Sequence, residues 1–85
     1  MRITLRFFAS VRESVGTNHE VLEVAPEIAS VGALRELLAA RGGAWQQALA
    51  ETHNLRMACN QQMCGAETAL AEGCEVAFFP PVTGG

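Results

Sequence analysis

Only one segment of this chain has the periodicity of a long amphipathic helix, and the segments on either side of it alternate as strands do. Ser30 can cap a helix that runs to about Arg41, where a cation suits the negative end of the helix dipole. Gly42-Gly43 then ends the helix. Its predicted buried face carries Val31, Leu34, Leu37, Leu38 and Arg41, which follow the i, i+3, i+4, i+7 rule.

The first strand shows the clearest alternation. Ile3, Leu5 and Phe7 point to one side of residues 2–8, and polar side chains point to the other, so one face is buried. Phe8 falls on the polar face. Similar patterns predict strands at 21–24, 55–59, 63–64 and 75–79, with turns at 60–62 and 72–73.

Two shorter helical stretches complete the pattern. Ser10 and Glu13 have the spacing of a capping box, and Gly16 follows where a left-handed C-terminal residue is wanted. Residues 45–49 predict another helical turn or two. One main helix across one face of a mixed sheet is an α+β arrangement, consistent with a β-grasp, or ubiquitin-like, roll.

The last six residues read Pro-Pro-Val-Thr-Gly-Gly, and we predict a β-grasp domain over 1–79 with a functional tail over 80–85. Pro80 and Pro81 favour a stiff, extended exit from the last strand. Gly84 and Gly85 lack a Cβ, so the chain end can enter a narrow site. Once adenylated, its α-carboxyl group becomes a good electrophile, and a sulfur donor would convert it to a thiocarboxylate.

Composition excludes several classes of function. Net charge is −3 and the six cations, all Arg, are scattered, so nucleic acid is an unfavourable partner. No apolar run reaches the roughly 18 residues needed to span a bilayer, and no leader pattern opens the chain, so we expect a cytoplasmic protein. Cys59, Cys64 and Cys74 are an odd set without metal-site spacing, and we interpret them as reduced residues, with Cys59 and Cys64 packed in the core and Cys74 in a turn.

An apolar patch is predicted on the sheet face away from the helix. Phe8 is out of phase with Phe7, and Phe79 is out of phase with Phe78. The first and last strands are neighbours in a β-grasp sheet, so the two rings should lie together, and Met63 can join them. An exposed apolar patch beside a functional tail suits a protein interface.

Two segments resemble the small subunits of molybdopterin synthase: Phe7–Glu13, and Gly73 with the stretch Glu75–Gly85. The resemblance implies that an ATP-dependent activating enzyme adenylates Gly85, which then becomes a thiocarboxylate. The tail would enter the large catalytic subunit, in a complex of two small and two large subunits, and donate sulfur to cyclic pyranopterin monophosphate. No cofactor would be bound stably, and ATP would be used by the activating enzyme.

In that family the corresponding sheet face packs on both partner proteins. The resemblance therefore assigns partner binding to the patch and to the tail residues that precede Gly84: Phe8, Met63, Phe79, Pro80, Pro81, Val82 and Thr83. The cysteines are the main departure from the family pattern, and no sulfur-transfer role is assigned to them.

Two alternatives use the same tail. The chain could carry sulfur for another pathway, such as thiamine or cysteine synthesis, with the same chemistry at Gly85 and a different partner. It could instead be a ubiquitin-like modifier joined through Gly85 to lysines of other proteins. The absence of Lys excludes only lysine-linked chains of this protein with itself.

Overall fold

The computed structural model describes residues 1–50 and 54–81. Five strands form one sheet in the order β2-β1-β5-β3-β4, in which β1 and β5 are parallel and all other neighbours are antiparallel. This mixed sheet confirms the predicted α+β class and the β-grasp roll. In chain order, the elements are β1 (Arg2–Phe7), α1 (Ala9–Val15), β2 (His19–Glu23), α2 (Val31–Ala39), α3 (Gly43–Leu49), β3 (Arg56–Cys59), β4 (Gln62–Cys64) and β5 (Glu75–Phe79).

The core lies between the inner face of the sheet and the three helices. As the alternation predicts, Ile3, Leu5 and Phe7 are buried on β1, and Val76 and Phe78 are buried beside them on β5. Trp45 of α3 packs edge-on against Phe7, with 5.4 Å between ring centroids. From the helices, the buried side chains that complete the core are Val11, Val31, Leu34, Leu38, Ala48 and Leu49.

Local sequence signals predicted the ends of several helices and strands correctly. The Ser30 Oγ accepts a hydrogen bond from the Ala33 backbone N–H at 3.1 Å, so the predicted cap of α2 is confirmed. Gly16 ends α1 with φ at 80°, as predicted. The β3–β4 hairpin turns at Asn60 and Gln61, whose φ values of 50° and 67° suit a two-residue turn. Gln62 belongs to β4, so the turn is one residue shorter than predicted.

The capping box was a wrong prediction. Helix α1 begins at Ala9, one residue before Ser10, and its N-cap is Phe8, with no side-chain cap hydrogen bond. The sheet dictates this start, because the Phe8 N–H donates to the Phe78 carbonyl at 3.3 Å. The Phe8 carbonyl then accepts from the first turn of the helix, and the chain bends at Ala9 with φ at 52°.

The buried face of α2 also differs from the prediction. The helix ends at Ala39, and Leu37 is 38% exposed, whereas Arg35 is only 8% exposed. Arg35 turns inward because it serves α3: its Nε donates to the Leu49 carbonyl at 2.7 Å, and its Nη2 to the Ala50 carbonyl at 2.6 Å. These are carbonyls at the C-terminal end of α3, which lack partners within the helix.

Arg41 lies beyond α2 and is not part of its buried face. Its guanidinium carbon lies 4.4 Å from the Trp45 ring centroid, and its two Nη atoms donate to the Glu20 carboxylate at 3.0 and 2.6 Å. The hydrogen bond from Arg41 lowers the pKa of Glu20 below its ordinary value, despite partial burial. The pair therefore ties β2 to the start of α3.

Candidate functional site

The base of the predicted tail lies at the end of the central strand. Phe79 is the last residue of β5, and Pro80 and Pro81 follow it with their side chains partly buried. The other predicted tail residues, Val82, Thr83, Gly84 and Gly85, lie outside the described residues. A groove of about 320 Å³ runs beside the two prolines, between α1 and α3, and the sequence did not predict it. Its polar lining comes from Ser10, Ser14, Gln47 and Asn54.

Phe8 and Phe79 lie together on the outer face of the sheet, the face turned away from the helices. Their ring centroids are 6.4 Å apart in an edge-to-face arrangement, and Phe8 is 42% exposed. This placement follows from the parallel pairing of Phe7 with Phe78, which brings the next residue of each strand to the same end of the outer face. The predicted contact between the two rings is confirmed.

Met63 extends the apolar surface toward the sheet edge. It pairs with Ala58 across β3 and β4, Ala58 pairs with Ala77 of β5, and the Met63 side chain is 62% exposed. Because the two alanines have small side chains, the surface between Met63 and the two rings is a shallow depression. We call this surface the outer patch and define it by Phe8, Ala58, Met63, Ala77 and Phe79.

Beside the rings, the outer patch borders a charged cleft that the sequence did not reveal. The cleft has a volume of about 280 Å³ and lies between Arg6 on β1 and Glu75 at the start of β5. Gln61 contributes to its lining from the β3–β4 turn. The alternation in β1 places Arg6 on the solvent side of that strand. It does not show which residues of β5 lie beside Arg6, because that depends on how β1 and β5 are paired.

Two of the three cysteines lie at the end of β5 opposite the tail, whereas Cys64 of β4 pairs with Met57, which lies at the level of Phe78. Cys74 directly precedes β5 and is buried in the core, which the prediction of a turn residue missed, and Cys59 pairs with Val76 in the next strand. Burial raises the pKa of Cys59, and the neighbouring thiols of Cys74 and Cys64 raise it further. Burial also raises the pKa of Cys64. The thiols of Cys59 and Cys64 are therefore held in the protonated, weakly nucleophilic form.

Within residues 1–50 and 54–81, no three side chains of His, Cys, Asp or Glu are grouped so that they could hold a metal ion. No helix in that part of the chain is long and apolar enough to cross a membrane.

Comparison with solved structures supports the fold. Small archaeal modifier protein 1 of Haloferax volcanii is 23% identical and superposes with a TM-score of 0.75, covering 95% of this chain and 98% of that one. A chain of the complex of subunits 1 and 2 of molybdopterin-converting factor from Helicobacter pylori 26695 is 20% identical. It gives a TM-score of 0.68 and covers 100% of both chains.

Sequence comparison goes further. The ThiS family model matches residues 5–85. The molybdopterin synthase sulfur carrier subunit of Escherichia coli (strain K12) is 48% identical over 83 residues, covering 98% of this chain and 99% of that protein. Its counterpart in Haemophilus influenzae (strain ATCC 51907 / DSM 11121 / KW20 / Rd) is 41% identical over the same shares. The chain therefore belongs to the ThiS family and to the family of molybdopterin synthase sulfur carrier subunits.

Proposed function

We propose that this protein is the sulfur carrier subunit of a molybdopterin synthase and carries its sulfur as a thiocarboxylate at Gly85. The observation that carries the proposal is 48% sequence identity to a sulfur carrier subunit over nearly the full length of both chains. The Gly84-Gly85 ending that follows the central strand supports it.

The chemistry at Gly85 takes two steps. The α-carboxylate attacks the α-phosphorus of ATP, forming an acyl-adenylate and releasing pyrophosphate. With sulfide as the donor, HS⁻ attacks the acyl carbon, AMP leaves with the electron pair of the broken C–O bond, and loss of the S–H proton leaves a C-terminal thiocarboxylate. ATP is bound by the activating enzyme, and this chain keeps no cofactor of its own.

The folded domain carries the acyl group at the end of a short C-terminal segment. Pro80 and Pro81 have a fixed φ and favour a stiff stem, and six residues span at most about 20 Å when they are extended. The two glycines allow the terminus into an enclosed site where a Cβ would collide with the walls. Catalytic side chains then belong to the partner enzymes.

Two partners follow from this function. One is an ATP-dependent adenylating enzyme. The other is a large catalytic subunit, in which the thiocarboxylate sulfur is transferred to cyclic pyranopterin monophosphate. The structural likeness to a chain from the two-subunit Helicobacter pylori complex is in keeping with such an assembly. Both encounters use the outer patch together with Pro80, Pro81, Val82 and Thr83, and both take place in the cytoplasm.

Mass spectrometry tests the proposal. The protein is incubated with an adenylating enzyme, ATP and a sulfide source, and the C-terminal peptide should gain the mass difference between one sulfur and one oxygen atom. A variant that lacks Gly85 and a variant extended beyond Gly85 should gain nothing.

Adding the large subunit and cyclic pyranopterin monophosphate should then return the peptide to its original mass and yield molybdopterin. A carrier that forms the thiocarboxylate but never supports molybdopterin formation would belong to another sulfur pathway. Attachment through Gly85 to lysines of other proteins, without a thiocarboxylate, would indicate a modifier instead.

A further inference from the structure

All three cysteines lie on the inner face of the sheet. Cys59 is in register with the buried Val76 of β5. Cys64 is in register with the buried Met57 of β3. Residues directly opposite each other across a sheet point to the same face, and Cys74 belongs to the same core. The proposed function uses none of these thiols.

Cys59 and Cys74 are the closest pair. The residues next to them are joined by two hydrogen bonds: the Asn60 N–H donates to the Glu75 carbonyl at 2.8 Å, and the Glu75 N–H donates to the Asn60 Oδ1 at 3.0 Å. The two backbones are therefore held beside each other at this point, as in neighbouring strands. Burial raises the pKa of Cys59, and the Cys74 thiol raises it further by its charge and as a hydrogen-bond partner, whereas Cys64 acts through its charge alone. The thiol that directly contacts Cys59 is therefore that of Cys74.

Cys59 is the member of this pair that a small oxidant can reach. It lines a cleft of about 750 Å³ at the β4 edge of the sheet, together with Cys64. Cys74 does not line this cleft and is only 3% exposed. An accessible thiol beside a second thiol is the arrangement in which oxidation of the first is resolved as a disulfide.

We propose that hydrogen peroxide converts Cys59 and Cys74 into a reversible disulfide that links β3 to the start of β5. The Cys59 thiolate attacks one peroxide oxygen, the O–O bond breaks, and the hydroxide that leaves takes up a proton to become water. The Cys74 sulfur then attacks the sulfur of the Cys59 sulfenic acid, the S–O bond breaks, and hydroxide leaves with the Cys74 proton as a second water. Each thiol thus loses one hydrogen atom, and the peroxide is reduced to water.

The bridge would protect the fold during oxidation. It closes a loop from residue 59 to residue 74 that contains β4, and such a loop restricts the unfolded chain. It also prevents further oxidation of Cys59 to a sulfinic acid, which dithiol reductants do not reverse. Because burial leaves little thiolate, the reaction is slow and responds to strong rather than trace exposure. Neither cysteine belongs to the outer patch or the tail, so this redox chemistry is independent of the proposed sulfur transfer.

The test treats the reduced, full-length protein with excess hydrogen peroxide, alkylates the remaining thiols and cleaves the unfolded chain after glutamate. Cleavage leaves Cys59 and Cys64 in the fragment 52–67 and Cys74 in the fragment 73–75. The expected product joins these two fragments through one disulfide, carries the alkyl group on Cys64, and separates when dithiothreitol is added. The absence of a disulfide, a bridge that involves Cys64, or a bridge between two copies of the chain would overturn the proposal.

Cys64→Ala is the matched control for Cys74→Ala, because each removes one thiol from the same group. Cys64→Ala should form the disulfide as completely as the unaltered protein. Cys74→Ala should form none, and its Cys59 should gain oxygen atoms that dithiothreitol does not remove. If Cys59 of Cys74→Ala stays unoxidised, the peroxide does not reach this thiol and the proposal is wrong.

Thermal unfolding supplies a readout that does not depend on a variant. The oxidised protein should unfold at a Tm about 5–10 °C above that of the reduced protein, and dithiothreitol should abolish the difference. An unchanged or lower Tm would show that the disulfide does not link the two strands in their native arrangement, and the proposal would fail.

Discussion

Two neighbouring phenylalanines on β5 allow a contribution to folding stability and a contribution to partner binding to be measured separately within one strand. Phe78 is fully buried and packs against Phe7 with 6.3 Å between ring centroids, whereas Phe79 lies on the outer face against Phe8. We predict that Phe78→Ala lowers the free energy of unfolding by about 3–5 kcal/mol, as for other buried phenylalanines. Small domains have about 5–15 kcal/mol in total, so this variant should lie close to its unfolding threshold.

Phe79→Ala should behave differently. It removes a partly exposed ring and one edge-to-face contact, which together stabilise the fold by about 1 kcal/mol. If Phe79 is a central contact of the interface, its loss should cost binding about 2 kcal/mol, or about thirty-fold in Kd for the large catalytic subunit.

Urea unfolding followed by the fluorescence of Trp45 measures the first quantity, since the indole packs directly on Phe7. Calorimetric titration with the large subunit measures the second. The reasoning fails if Phe79→Ala binds as tightly as the unaltered protein. It also fails if the two variants lose equal stability, because the outer patch would then be part of the core.

Two further predictions concern contacts that hold the helices. The hydrogen bond from Arg41 lowers the pKa of Glu20 in the folded protein, so its carboxylate stabilises the fold above the pKa of the unfolded chain. That contribution is lost as pH falls through the folded-state pKa. Glu20→Gln should therefore lower the free energy of unfolding by about 1 kcal/mol or less at about pH 7, and in urea titrations the deficit should shrink steadily as the pH falls below the pKa of the unfolded carboxyl. A deficit that stays constant as the pH is lowered would contradict this. Arg35→Met leaves the Leu49 and Ala50 carbonyls without their donor and should cost about 2–3 kcal/mol by urea unfolding. Unaltered stability would show that water replaces the guanidinium without loss.

Strand alternation carried most of the fold prediction. Period-two patterning assigned the inner and outer faces of β1 and β5, and from these the contact between Phe8 and Phe79 followed. The fold class needed only the order of the elements and one amphipathic helix. Predictions that rested on the two-residue period of the strands succeeded, because each strand residue has only two faces of the sheet to which its side chain can point.

The failures share one cause, which is the influence of residues distant in sequence. Ser10 has good capping chemistry, but a hydrogen bond between Phe8 and Phe78 starts the helix earlier. Leu37 has the right spacing for the core, but the end of α3 recruits Arg35 to the inner side of α2. The cleft beside Arg6 was equally hidden, because its walls come from strands whose register is set across the sheet.

The central position of β5 has a mechanical consequence. The strand is flanked by β1 on one side and β3 on the other, and the residues of the tail continue directly from it. A pull on the chain end therefore loads two hydrogen-bonded ladders in shear, and their bonds must yield together. On the proposed function, the folded domain would therefore resist unfolding when a partner enzyme pulls on the chain end.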